Sequence, residues 1–297
     1  MANRIRLWVG IGASVLMTTQ SGAEPADSPF AAGDDHAGAA LQLASGGEGG
    51  EGGAMSHFGG EGGEGGEGGE GGEGGEGGEA GVSATDSPGV YYTTLMLMKG
   101  HLWVARELYT TGNQALGSAH MGHPFVEHFP AVEQALTKRG LDDVGSVLKE
   151  LAGTAARQPD WSELEPVYKR AQRAIDRARM DVDAGLREKP GFIADVMLAV
   201  LKTAAHEYEE ALADGRFVND AEYNDGRGMA MAASLYLDQH SGAFRPDQAG
   251  VYERMRNDVE TILQAWPTIM PPDEPAVSPS RLQADISQLE LTSSQLR

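Results

Sequence analysis

Residues 46–81 read Gly-Gly-Glu almost without interruption, and this tract decides how much of the chain can fold. Each triplet brings two residues with no side chain to bury and one charge. Glycine loses more backbone freedom on ordering than any other residue. With nothing apolar to offset that cost, the tract is expected to stay disordered. Collagen is excluded, because its period has one glycine per triplet and abundant proline. The simplest reading is a disordered acidic linker over 24–87, held extended by self-repulsion. Weak binding of many cations along the tract, helped by His57, is the competing one. Residues 1–83 hold 13 acidic and 2 basic residues, so about half of the formal charge of −21 lies in this leader.

That charge limits the partners. With 23 Lys+Arg against 44 Asp+Glu, the chain lacks the basic residues that neutralise phosphates, and no nucleic acid is expected. The absence of cysteine removes disulfides, thiolate nucleophiles, Cys-ligated zinc and iron–sulfur clusters. Residues 1–23 carry Arg4 and Arg6, then the apolar run 7–17 (LWVGIGASVLM), then a small polar stretch ending in Ser21 and Ala23. This is the layout of a secretory signal peptide, cut near Ala23, and it predicts a periplasmic protein. The apolar run is short of the ~20 residues that span a bilayer.

From Pro88 onward the apolar spacing is helical, with no useful alternating strand pattern. Residues 90–111 place Leu97, His101, Ala105 and Leu108 on one stripe. Pro124 opens a second segment with Phe125, Phe129, Val132 and Leu136. A third holds Val144, Leu148 and Leu151. Asp160 and Glu163 have capping-box spacing ahead of Trp161, Leu164, Tyr168, Ala171 and Ile175. Residues 190–213 have the widest apolar face and are expected to be the most buried helix. Asn219 and Glu222 cap a thin helix carrying Gly226 and Gly228, and Pro246 opens a last long segment. The fold class is therefore all-α: a bundle of about seven helices over 88–266, followed by a Pro-rich break and a short amphipathic tail over 267–297.

Histidine and carboxylate carry the candidate chemistry. His120, His123, Glu127 and His128 fall within nine residues around the start of the second segment. Three imidazoles and a carboxylate at a helix mouth can close on one cation. His101, on the apolar stripe of the first helix, joins them if the two segments face each other. Without a metal, the same residues read as a capping, a surface and a core-edge histidine. A second set, His206, Glu209 and Glu210, shares one face at i, i+3 and i+4; Lys202 one turn earlier also allows a solvated ion-pair face. The second histidine of H-E-x-x-H would fall at Glu210, so no zincin motif is present. Glu-x-x-His, G-x-S-x-G, P-loop and Rossmann patterns are also missing, and Asp225 occupies the glycine position of an EF-hand loop aligned on 219–226. No nucleophile–base pair stands out, and the chain reads as a non-enzyme more readily than as an enzyme.

The run Tyr208-Glu209-Glu210-Ala211-Leu212-Ala213-Asp214-Gly215-Arg216-Phe217-Val218-Asn219-Asp220-Ala221-Glu222-Tyr223-Asn224-Asp225 resembles a segment of the periplasmic helical domains attached to bacterial high-affinity iron permeases. Residues 98–109 (MKGHLWVARELY) with His120-Met121-Gly122-His123-Pro124 look like exported helical proteins of the same neighbourhood. A more distant similarity is to imelysin-like proteins, whose Gly-x-His-x-x-Glu motif binds metal; here Ala204-Ala205-His206-Glu207-Tyr208-Glu209 keeps His-x-x-Glu with alanine in place of the glycine. The resemblance implies an all-α fold and a role in handling iron or copper outside the cytoplasm. The expectation is a periplasmic protein that binds or delivers a transition metal ion (iron or copper, with zinc also accommodated by imidazole) without turnover. Its partner would be an inner-membrane permease or envelope protein. The alternative is a non-catalytic envelope scaffold whose acidic tract serves as a tether.

Overall fold

The computed structural model describes residues 83–296. The predicted signal peptide and the Gly/Glu tract lie outside the described residues, as do His36 and His57. The described chain is helical, as the apolar spacing requires. Its α-helices are α1 (Pro88–Thr110), α2 (Gln114–His120), α3 (Phe129–Lys138), α4 (Asp143–Ala155), α5 (Trp161–Met180), α6 (Ala184–Arg187), α7 (Pro190–Glu210), α8 (Asp220–Gln239), α9 (Ala249–Ile262) and α10 (Pro279–Ser293). A π-helical turn, Pro124–His128, sits between α2 and α3.

The helix starts follow local chemistry. Ser87 accepts from the Val90 N–H, with Pro88 in the first turn of α1, where its missing donor costs nothing. Asn219 Oδ1 accepts from the Ala221 and Glu222 amides at the start of α8. The capping-box spacing of Asp160 and Glu163 marks the start of α5, but the Asp160 side chain makes no capping hydrogen bond. Asp214 and Gly215, both at positive φ, turn the chain between the two-residue strands β1 (Leu212–Ala213) and β2 (Arg216–Phe217). Two central residues at positive φ suit a tight hairpin.

The most buried helix is α1 rather than α7, whose apolar face is the wider in sequence. In α1, 18 of 23 residues are buried, against 12 of 21 in α7. The reason is position: α1 packs against α2, α5, α7 and α8 and is enclosed on several sides. Helices α7, α8, α9 and α10 form a ring, each packing on the next and α10 closing back on α7. The amphipathic tail becomes α10, and it docks through Leu282, Ile286 and Leu289, all buried. The Pro-rich stretch before it is tied down by Tyr208 and Tyr223, whose hydroxyls donate to the Val277 and Thr268 carbonyls at 2.7 and 2.8 Å. No helix among the described residues is long and apolar enough to cross a membrane.

Glycine sets the crossing that matters for function. A Cβ on Gly228 of α8 would lie 2.4 Å from the Gly100 carbonyl oxygen, and one on Gly100 would lie 2.9 Å from the Met229 backbone. Only bare backbone permits α1 and α8 to approach this closely. A Cβ on Gly117 would likewise meet the Ala105 oxygen and Tyr109 nitrogen at 2.7 Å, so α2 also lies directly on α1. The Arg227 guanidinium ties the same crossing, meeting the Glu107 carboxylate through two nitrogens.

Candidate metal centre

Each glycine contact lies within one helical turn of a residue that carries chemistry. His101 follows Gly100, His120 lies three residues after Gly117, and Asp225 three before Gly228. The spacings of three keep His120 and Asp225 on the same helix flank as their close approaches, and His101 directly follows the glycine of its own. The result is a buried convergence of three elements on one carboxylate. His101 Nδ1 lies 2.5 Å and His120 Nδ1 2.7 Å from Asp225 Oδ1, and His123 Nδ1 lies 3.1 Å from Asp225 Oδ2. A carboxylate can accept several hydrogen bonds at once, and Asp225 accepts from three imidazoles. The ring of His101 extends the cluster on its other side. Its Nε2 lies 2.7 Å from His128 Nε2 and 3.7 Å from Glu127 Oε2. Glu127 Oε1 lies 3.5 Å from His123 Nδ1.

The π turn explains how residues 123–128 contribute three side chains to one place. The Phe129 amide bonds to the Pro124 oxygen, five residues back, and Pro130 in the next turn has no amide to offer. In an α-helix, residues five apart point ~140° away from each other. The wider turn brings His128 round to the side of His123. Phe129 anchors it by packing where a Cβ on Gly145 of α4 would otherwise stand. His123 occupies the N-cap position of this turn but makes no capping bond with its side chain; Asp225 and Glu127 receive its nitrogen instead.

Burial and charge oppose each other here. His101, His120, His128 and Asp225 are all buried, while the Glu127 side chain is 42 % exposed. Burial lowers the pKa of His120, with Asp225 only partly restoring it. Burial, aided by the charge at His101, holds His128 well below the usual imidazole range. Burial pulls His123 down as well, but the carboxylates of Asp225, Glu127 and Glu222 outweigh it and push the pKa up to about 9. Burial would raise Asp225, yet the three surrounding histidines hold it well below the usual carboxylate range. A neutral His120 that donates Nδ1–H to Asp225 keeps a lone pair on Nε2, and that nitrogen is buried with no hydrogen-bond partner. Such a group is costly to bury. It is also the form of imidazole that ligates a cation.

Ligand atoms of His101, His120, His123 and Asp225 lie within 4.8 Å of one another, and so do those of His101, Glu127 and His128. All five candidates from the first sequence set, His101, His120, His123, Glu127 and His128, therefore meet. The second set stays outside these groups. His206 is half-buried on α7, Glu209 is exposed and accepts from Gln283 Nε2 at 3.0 Å, and Glu210 is exposed. Lys202, one turn earlier, pairs with Glu290 of α10 at 3.0 Å. Asp225, the hub of the centre, is absent from both sequence sets. The signal that could have found it is an acid beside two glycines on a thin helix, where an unpaired carboxylate would face a closely packed neighbour.

The donor set fits a transition cation: imidazole nitrogens with carboxylate oxygens suit iron, copper and zinc. The contacts of 2.5–3.1 Å around Asp225 are those of hydrogen bonds. Two ligands of one tetrahedral cation, each 2.0–2.1 Å from it, sit roughly 3.3 Å apart. A cation held there would take the place of the shared protons and would open these contacts by roughly 0.2–0.8 Å.

Residues 184–297 match the family model described as an iron permease-associated 4-helix bundle domain. The match takes in α6 to α10, with α7–α10 as its four long helices, and it contains the 208–225 stretch that carried the resemblance to domains of this kind. A comparison with curated proteins and one with solved structures each returned no match.

Proposed function

We propose, with the iron permease-associated bundle at 184–297 as premise, that this chain is a periplasmic iron-handling protein. It binds the ion by coordination, without turnover, at the cluster of His101, His120, His123, Glu127, His128 and Asp225. One observation carries the reading: imidazoles from α1, α2 and the π turn converge on a single buried carboxylate supplied by the matched bundle. A scaffold needs no such convergence, and burying three histidines and an acid beside a fourth histidine is costly unless they serve a ligand.

The ion is cargo on this reading. A buried pocket of protonatable ligands binds metal by releasing protons, which gives capture and release without a reaction. Glu127 at the exposed rim is the first group an incoming cation meets. On this reading an iron permease, the partner that the family description is consistent with, receives the ion, and the leader would raise the local cation concentration by its negative field.

Protein purified from the envelope without a tag and then dialysed should retain at least one equivalent of iron by elemental analysis. Asp225→Ala should weaken iron(II) binding by more than ~100-fold, the upper range for losing an outer partner of a metal ligand. Copper or zinc retained in place of iron would keep the coordinating role and change the cargo. Metal-free protein that takes up none of these ions would end the reading.

A further inference from the structure

His101 presents its two ring nitrogens to two different ligand sets. Nδ1 meets Asp225, around which His120 and His123 also gather; Nε2 meets His128 and Glu127. The two sets of clustered ligand atoms share His101 and no other residue. We propose that the centre holds two cations at once, bridged by His101, with an inner position at Asp225, His120 and His123 and an outer position at His128 and Glu127. The proposal rests on the coordinating reading above and adds the number of ions and their linkage.

Two features favour a pair over a single ion. No single point lies against both nitrogens of one imidazole, because they face apart across the ring. A single ion on Nδ1 therefore leaves His128 without a share, and one on Nε2 does the same to Asp225 and His120. The carboxylate of Glu127 divides in the same way, with Oε1 toward His123 and Oε2 toward His101, so it can reach both positions.

The first cation makes the remaining N–H of His101 more acidic. When the second binds, that proton leaves to solvent and His101 bridges the pair as imidazolate. The exposures order the two positions. Glu127 is 42 % exposed, while the Asp225 side chain is 5 % and the His120 side chain 0 % exposed, so the outer ion exchanges with solvent and the inner one is reached past it.

Copper(II) is a convenient probe, because an imidazolate couples two copper spins and its absence leaves them independent. The full-length protein should saturate at two equivalents of copper(II), and its electron paramagnetic resonance signal should integrate to well under two spins. Iron(II), added without oxygen, should also saturate at two. Glu127→Ala, at an exposed position that spares the core, should hold one tightly bound copper with a full single-spin signal. His128→Gln should do the same. Saturation of the unmodified protein at one equivalent, or two equivalents with independent spins, overturns the bridge and leaves the coordinating reading intact. No binding at all overturns both.

Discussion

The stretch 101–128 and the matched bundle 184–297 contribute to the centre in opposite ways. The first supplies every imidazole and the rim carboxylate from α1, α2 and the π turn. The second supplies the one acid, Asp225, that gathers them. The donors thus lie outside the region that resembles iron permease-associated domains, and the hub lies inside it. Neither part holds the centre alone, and the join between them is the bare-backbone crossing of α1 and α8 at Gly100 and Gly228.

That division can be attacked at the join first. Gly228→Leu drives a side chain into the Gly100 carbonyl, where no flexible group can yield. It should cost at least the ~3 kcal/mol at the top of the usual overpacking range, read as a lower urea midpoint, and tight iron binding should disappear with it. Unchanged stability and binding would show that the two parts are held together elsewhere.

Acidity separates the contributions more gently. His120 and His128 have folded pKa values below their ordinary 6.5, so in the metal-free protein unfolding takes up protons as the pH falls below that value, and stability drops. The contribution of Asp225, whose pKa lies well below the ordinary carboxylate value of 3.8, is present above 3.8 and is lost as the pH falls further. His123 runs the other way. Raised to about 9, it stabilises fully below 6.5 and loses that contribution between 6.5 and 9. The melting temperature of the metal-free protein should therefore peak near pH 6.5, by several degrees, and fall on both sides. Asp225→Asn should flatten the alkaline limb, since the carboxylate that holds the His123 proton is gone.

The smallest effect is expected on α7. His206→Ala combined with Glu209→Gln should leave iron stoichiometry and affinity within twofold of the unmodified protein, because these side chains join none of the converging ligand groups among the described residues. A loss of one equivalent in that double variant would restore the second site that the His-x-x-Glu spacing implies.

The helical class was legible from Pro88 onward because a period near 3.6 and the turn residues agree at every segment. The histidines of 101–128 were legible as a cluster because five candidates lie on two neighbouring stretches. Asp225 was not, because its partners lie 102 to 124 residues away and its own neighbours read only as a thin helix. The set His206, Glu209 and Glu210, read from sequence either as ligands or as a solvated ion-pair face, meets the same limit from the other side. Spacing places side chains on one face, but only tertiary packing decides whether that face meets a second set of donors. The burial of α1 was hidden for a similar reason, since its polar residues Thr93, Thr94, Lys99 and His101 are buried by neighbours that the helical stripe does not reveal.

The π turn at 124–128 makes chain length, more than residue identity, the guarded property of that stretch. Shortening it by one residue would let an ordinary helix run from Pro124 into α3 and rotate every following side chain by about 100°. His128 would then leave His101 while Phe129 lost its seat against Gly145. Homologous chains that keep this centre should therefore tolerate exchanges at Val126, which is exposed, and should carry no insertions or deletions between His123 and Phe129.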